Sequence, residues 1–310
     1  MAAPFRISRT DRVVEWLVTV AGMSGLVVLL LMLVFIAREA LPLLFDHDVS
    51  FAKLFLPQAV REGRPPAWVW QPISRVPKIS VVPLIIGSLK VTGVAMVLAA
   101  PVGIAAAVFS AEFAPPRLRE VIKPVVELLA GIPSVVLGFF ALMVLASALQ
   151  SLFDWPYRLN AIVAGVAMAL AIVPIVFTVT EDALRAVPGS YREASFALGA
   201  TRWDTAWRIV LPAAAPGVLG ALVLGFGRAV GETMIVLMAS GNAAIVSARL
   251  SDSTRTLSAT IAAEMGEVVP GSTHTSLLYF LGVMLFVVNL VLNGTVGAWA
   301  RNRVQRARGR

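Results

Sequence analysis

Six long apolar stretches dominate the sequence and restrict it to a membrane-spanning fold. The first, Leu17–Ala37, runs for 21 residues without a charge, and a helix needs about 20 mostly apolar residues to cross the hydrocarbon core of a bilayer. The other five predicted spans are Leu84–Ser110, Leu128–Leu149, Ala161–Thr180, Ala213–Ser240 and Leu277–Trp299. The composition agrees, because 14% of the residues are charged, against about 25% in soluble domains. We therefore expect an all-α integral membrane protein with six transmembrane helices.

Basic residues are distributed unequally between the segments that join these spans. One set of segments carries 15 lysines and arginines and consists of 1–16, 111–127, 181–212 and 300–310. The alternate set carries 9 and consists of 38–83, 150–160 and 241–276. Because lysine and arginine concentrate in cytoplasmic loops, the count predicts a multi-pass protein of the cytoplasmic (inner) membrane with both termini in the cytoplasm. The formal net charge of +8 then belongs to the cytoplasmic face of a membrane protein, and we expect no nucleic-acid partner.

Several kinds of chemistry lack the residues they require. The chain has no cysteine and only two histidines, which leaves no thiol nucleophile, no disulfide framework and little basis for a metal site. It also lacks the G-x-x-x-x-G-K-[ST] phosphate loop. We therefore expect no enzyme activity and no cofactor in this chain, with any ATP energy reaching it through a partner.

Three ionisable residues fall inside predicted spans, namely Lys90, Arg228 and Glu232. A charge at the bilayer centre costs about 2.5–3.5 kcal/mol even on the mildest scale, so these side chains should face protein or water. Arg228 and Glu232 lie at i and i+4 of the fifth span, so we expect both on one helical face. They would then form either a structural ion pair or part of a pathway for a polar, anionic solute. Lys90 would either reach to the outer membrane surface or draw anions inward.

The cytoplasmic loop 181–212 contains signals for a short helix. Pro188 stops the preceding helix, Ser190 and Glu193 have the spacing of a capping box, and Gly199 suits a helix end. The pattern predicts about two helical turns that expose an aromatic and apolar surface. That surface would comprise Tyr191, Phe196, Leu198 and Trp203. Such a helix is suited to docking into a groove on a soluble partner.

The same loop resembles the EAA motif of ABC importer permeases, which runs E-A-A-x-x-x-G, nine residues, I-x-L-P. The matching residues are Glu193, Ala194, Ser195, Gly199, Ile209, Leu211 and Pro212. Ser195 in place of the second alanine is a small-for-small departure. The resemblance implies that residues 190–203, with Tyr191 and Arg192, form the coupling helix that seats in a cleft of an ATPase subunit.

A second resemblance is to phosphate-specific importer permeases of the PstC type. It rests on the stretches Leu129–Val136, Gly227–Asn242 and Arg255–Glu267. It implies an N-terminal helix (17–37) followed by a five-helix permease core (84–300) and a basic tail (301–310). It also implies that Arg228 and Glu232 belong to the translocation path, to which we assign Thr233 and Lys90 as well. The extracytoplasmic loop 38–83 has no counterpart that we can identify.

The implied partners are a second permease of PstA type, two ATP-binding cassette ATPases that hold ATP and magnesium, and an extracytoplasmic phosphate-binding protein, all assembled at the lipid bilayer. We therefore expect a permease subunit that imports inorganic phosphate. The alternatives are a permease for another oxyanion, such as molybdate or sulfate, and a membrane scaffold or sensor that binds the ATPases without transport. The docking loop and the lack of an internal repeat argue against a secondary carrier.

Overall fold

The structure, a computed structural model, describes residues 9–45, 51–59, 66–74 and 76–308. Its α-helices are α1 (Arg9–Ala40), α2 (Pro42–Phe45), α3 (Phe51–Phe55), α4 (Val82–Val108), α5 (Pro116–Ala130), α6 (Ser134–Phe140), α7 (Ala146–Phe153), α8 (Ala161–Arg185), α9 (Gly189–Ala197), α10 (Arg202–Thr205), α11 (Leu211–Gly231), α12 (Met234–Ala239), α13 (Leu257–Glu264) and α14 (Thr273–Arg308). Five-residue π-helical turns follow α4, α6 and α10, at π1 (Phe109–Phe113), π2 (Ala141–Leu145) and π3 (Ala206–Val210). Two short strands, β1 (Trp70–Gln71) and β2 (Lys78–Ile79), pair antiparallel.

Six helical stretches within the described residues are long and apolar enough to cross a membrane, which confirms the predicted number and the all-α class. They are Arg12–Phe45, Val82–Phe113, Ser134–Phe153, Ala161–Arg185, Arg202–Gly231 and Thr273–Thr295. Helical structure extends into both predicted tails, 1–16 and 301–310, because α1 begins at Arg9 and α14 continues to Arg308.

Two predicted spans have the wrong extent. The third was placed at 128–149, but α5 ends at Ala130 and a new helix begins at Ser134. Pro133 lies in this break, where it has no N–H to donate and disfavours a helical conformation in the residue before it. The fifth was placed at 213–240, but α11 ends at Gly231 and only the short α12 follows it. Hydropathy averaged over a stretch of sequence does not detect such breaks within a helix.

Small residues bring α4, α8 and α11 into close contact at the centre of the molecule. A Cβ atom added to Gly165 of α8 would lie 2.5 Å from Val94 of α4, and one added to Gly225 of α11 would lie 3.0 Å from Ile172. Small residues are what allow membrane helices to pack closely when lipid is as apolar as their side chains. The centre of the molecule is therefore a helical bundle whose spacing is set by small residues, glycine in particular.

The first helix lies at the periphery of this bundle. Most of its side chains are exposed, and it packs along α14, where Phe35 meets Tyr279 edge-on with ring centroids 6.1 Å apart. Ile36 also lies against Gly282, 3.5 Å from the position of an added Cβ. The contact joins the first and last long helices of the chain.

The predicted loop 38–83 contains ordered structure. It holds the end of α1, the helices α2 and α3, and the β1–β2 hairpin. We call the described part of this region, 42–45, 51–59, 66–74 and 76–81, the outer cap, after the predicted extracytoplasmic location of the loop. Its buried side chains pack on α13 and on the start of α14 in one apolar cluster, which includes Leu43, Leu54, Trp70, Leu257, Leu277, Leu278 and Leu281. The outer cap is therefore fixed to the helices that follow the fifth span.

Candidate translocation site

The chain leaves the helical conformation at Glu232. This residue adopts an extended conformation (φ −67°, ψ 129°), so the prediction that it shares a helical face with Arg228 is wrong. The main-chain groups that the break releases find new partners. Ser258 Oγ donates to the Glu232 carbonyl oxygen at 2.7 Å, and Thr233 Oγ1 donates to that of Gly231 at 3.2 Å. Irregular backbone at membrane depth is tolerated where protein or water satisfies it.

The surroundings of Glu232 are polar, although three membrane-spanning helices, α4, α8 and α11, converge there. A small cavity beside it, too narrow for a water molecule, is lined by hydroxyl groups from α4 and from the start of α13, together with apolar side chains. The hydroxyl-bearing residues are Ser88, Thr92, Thr256 and Ser258. All four are buried, and the Glu232 side chain is half-buried. Its Oε1 accepts a hydrogen bond from the Thr233 main-chain N–H at 3.2 Å.

Arg228 lies one turn before the break and is exposed. Among the described residues no carboxylate lies within 4.0 Å of its guanidinium, and no hydrogen bond to it is formed. A structural ion pair between Arg228 and Glu232 is thus not formed in this chain. Because an exposed guanidinium in a membrane helix is costly in lipid, this face of α11 must meet water, solute or another protein chain.

The glycines around Arg228 have different surroundings. A Cβ atom added to Gly227 would lie 3.1 Å from Asn289 Oδ1 of α14, whereas one added to Gly231 would meet nothing within 4 Å. Only Gly227 therefore serves a close helix contact here. Two asparagines of α14 donate hydrogen bonds within their own helix, Asn289 to the Leu285 carbonyl oxygen and Asn293 to the Asn289 carbonyl oxygen.

Lys90 lies apart from this site. Its ammonium group donates to the Arg249 carbonyl oxygen at 2.8 Å. It lines a separate apolar cleft together with Val97, Phe153 and Trp155. Since Ser88 and Thr92 of the same helix line the cavity beside Glu232, the structure does not bring Lys90 together with Glu232.

In the loop 181–212, which is predicted to be cytoplasmic, α9 is the predicted short helix, and Gly199 follows it with φ +83°, a conformation that favours glycine. The predicted capping box is wrong, because the helix begins at Gly189 after Pro188 and no side chain caps it. Its aromatic and apolar side chains are exposed as predicted. These are Tyr191, Phe196, Leu198 and, on α10, Trp203.

Arg192 points away from this exposed surface and into the bundle. Its guanidinium binds both carboxylate oxygens of Glu112 on π1, with Nη2 2.6 Å from Oε1 and Nε 3.1 Å from Oε2. It also donates to the carbonyl oxygens of Leu184 and Val187 at the end of α8. The hydrogen bond to Glu112 is the main reason that the pKa of Arg192 is raised. One side chain thus ties α9 to the ends of α4 and α8.

A second contact fixes the other side of α9. Ser195 Oγ lies 2.9 Å from Thr205 Oγ1 of α10, and both residues are buried. A cavity of about 740 Å³ opens beside this contact, and its lining includes Tyr191, Ala194 and Gly199. Glu193 is exposed, while Leu211 and Pro212 begin α11 away from the cavity. Within the EAA motif, Ser195 therefore anchors α9 to α10. Glu193, Ala194 and Gly199 lie on the exposed surface or line the cavity.

Sequence reasoning did not identify the acidic partners at this end. Glu112 lies 80 positions from Arg192, and no local pattern connects them. Glu181 was assigned to the loop, yet it is fully buried on α8, where Ser110 donates to it at 3.2 Å and Lys123 lies 3.6 Å away. The only sequence signal for a buried Glu181 is its position directly after an apolar span. Acidic residues of solvated loops occupy the same position, so this signal does not distinguish the two.

Comparison with known proteins gives one consistent result. The family model of the binding-protein-dependent transport system inner membrane component matches residues 99–304. The chain is 39% identical over 223 residues to the probable ABC transporter permease protein YqgH of Bacillus subtilis (strain 168), covering 72% of each. It is 35% identical over 242 residues to the phosphate transport system permease protein PstC of Mesorhizobium japonicum, covering 72% of this chain and 73% of that one.

Solved structures share the fold at low sequence identity. A chain of the bacterial alginate ABC transporter, crystallised with its alginate pentasaccharide-bound periplasmic protein, aligns with a TM-score of 0.61 at 16% identity, covering 96% of this chain and 98% of that one. An inward-facing form of the MetNI methionine ABC transporter aligns with a TM-score of 0.57 at 18% identity, covering 72% and 95%.

Proposed function

Because the chain belongs to the family of inner membrane components of binding-protein-dependent transport systems, we propose that it is the permease subunit of an ATP-driven importer of inorganic phosphate. Several relatives of 33–35% identity are phosphate transport system permease proteins. Such a subunit is a transporter component of the inner membrane and carries out no bond-breaking chemistry. The observation that carries the proposal is the exposed, unpaired Arg228 beside a break in a membrane helix.

The proposed solute contacts are Arg228, Glu232 and Thr233. A guanidinium presents parallel N–H donors that match two oxygens of a phosphate, and it stays charged at any physiological pH. Glu232 would accept a hydrogen bond from the protonated oxygen of hydrogen phosphate. Sulfate and molybdate have no proton to donate at neutral pH, so they would leave the carboxylate facing a second anion. Lys90 lies outside this set and is not required by the proposal.

The energy for import would come from partners at the two faces of the membrane. Two ATP-binding cassette ATPases, holding ATP and magnesium, would dock on the exposed surface of α9, with Tyr191, Ala194 and Gly199 beside the cavity. A second permease subunit of PstA type would cover the exposed face of α11, and an extracytoplasmic phosphate-binding protein would deliver the solute. The path would open alternately to the two sides of the membrane. A solute that binds both conformations equally well cannot shift the equilibrium between them. ATP binding to the partners must therefore favour one conformation over the other.

The test is uptake of labelled phosphate by cells that carry this chain with its partners. Wild type should take up phosphate in the presence of excess sulfate or molybdate, and Arg228→Ala should abolish uptake while the complex still assembles. The matched control is Arg249→Ala, since Arg249 is also an exposed arginine but lies in the segment after α12.

Each other outcome selects an alternative. Uptake that sulfate or molybdate suppresses would indicate an importer for that oxyanion. An assembled wild type that binds the ATPases but takes up no oxyanion would indicate a scaffold or sensor. Unchanged uptake in Arg228→Ala would remove Arg228 from the path.

A further inference from the structure

A cluster of four side chains joins the outer cap to the end of α13. Trp70 of β1 is 3% exposed, and its indole N–H donates to both carboxylate oxygens of Glu264 at 3.1 Å. The same carboxylate lies 2.8 Å from Arg255 Nη1 and 2.7 Å from His274 Nε2. Glu264 therefore joins β1, 194 positions away, to the segment before α13 and to the start of α14.

The opposite end of α13 is joined to the translocation site. Ser258 Oγ donates to the Glu232 carbonyl oxygen at 2.7 Å, and the Leu257 main-chain N–H donates to Ser88 Oγ of α4 at 3.0 Å. The helix has eight residues and is therefore about 12 Å long. It is a short rigid element with one end on the main chain of Glu232 and the other on the outer cap.

The segment before α13 cannot move independently of α4. A Cβ atom added to Gly87 would lie 2.1 Å from the Arg255 carbonyl oxygen and 2.6 Å from Thr254 Oγ1. This close approach holds the start of α13 on α4, so a change in α13 would be a tilt about that start, which moves its Glu264 end most. At that end the charges are mostly buried, with the Glu264 side chain 13% and the Arg255 side chain 17% exposed. Removing one partner of a buried ionic cluster is costly, because the remaining charge is left unsatisfied.

We propose that Glu264 is a positioning residue for the translocation site. By holding α13 against Trp70 of the outer cap, it sets the tilt of α13 and, through Ser258, the position of the Glu232 main chain. A displacement of the outer cap, such as a partner docking on it would cause, lets α13 tilt and raises the accessibility of the site from the side of the outer cap. The role of Glu232 in this inference rests on the proposed function, whereas the mechanical link does not.

The lack of cysteine in the chain makes the link measurable without transport. Gly231→Cys supplies a single thiol next to Glu232, at a position that is exposed and where an added Cβ meets nothing within 4 Å. The measurement is the rate at which a membrane-impermeant maleimide modifies this thiol from outside, in the complete complex. In this background Trp70→Phe removes the indole N–H and keeps an aromatic ring.

The matched control is Trp68→Phe. Trp68 lies two residues away, and its indole N–H donates to the Phe55 carbonyl oxygen within the outer cap itself. Trp70→Phe should raise the modification rate about tenfold, the factor expected when one hydrogen bond to a charged group is lost. Trp68→Phe should leave the rate unchanged.

Equal rates in the two variants would overturn the inference and leave the cluster as an attachment of the outer cap only. If Trp70→Phe does not assemble, Glu264→Gln is measured in its place, and an unchanged rate there overturns the inference as well. The outcome is independent of the solute. Failed phosphate uptake with a raised modification rate would contradict the proposed function and leave the link intact.

Discussion

At the scale of single residues, the proposed solute site depends on the bidentate hydrogen bonding of the Arg228 guanidinium, which a lysine ammonium group cannot provide. Arg228→Lys keeps the charge in place but replaces a planar fork of donors by a point charge. We expect the KM for phosphate uptake to rise about tenfold, as for the loss of one charge-assisted hydrogen bond. The measurement is the concentration dependence of initial uptake, with Arg249→Lys as the control. An unchanged KM in Arg228→Lys would show that charge alone, without bidentate geometry, serves the site.

At the scale of elements, π1 and α9 form one mechanical unit. Because Arg192 binds Glu112 and the end of α8, a displacement of α9 is carried directly to α4 and α8. We expect Glu112→Gln to lower phosphate uptake several-fold while the complex still hydrolyses ATP, since a neutral amide holds a guanidinium less strongly than a carboxylate does. The measurement is the number of ATP molecules hydrolysed per phosphate imported, which should rise.

The control for this variant is Glu120→Gln, which removes an exposed carboxylate on the neighbouring α5. If Glu112→Gln lowered ATP hydrolysis and uptake in equal proportion, the Arg192–Glu112 contact would serve assembly and not transmission.

At the scale of the whole molecule, the topology predicts which surfaces face each side of the membrane. Leu198, directly after α9, is 89% exposed and Val269, between α13 and α14, is 72% exposed. In the cysteine-free chain, Val269→Cys should react with an impermeant maleimide in intact cells. Leu198→Cys should react only after the membrane is opened, as the distribution of basic residues requires. The reverse pattern would invert the orientation of the termini and of α9.

The number of spans and the short helix α9 could be predicted from the sequence because apolar length, proline and glycine are local signals. The break at Glu232 could not, since a charge within an apolar run indicates a functional site and not a change of backbone conformation. The partners of Arg192 and Glu264 could not be predicted from the sequence either. Glu112 and Trp70 come from distant segments, and only the packed helices bring them within hydrogen-bonding distance.

The contact between α1 and α14 has a consequence for the time course of synthesis. These helices are separated by the 232 residues between Ala40 and Thr273, which a ribosome takes on the order of ten to fifty seconds to add. Throughout that interval α1 resides in the bilayer without its main long-range neighbour. Its own apolarity must hold it there, because its docking along α14 can only conclude the assembly of the chain.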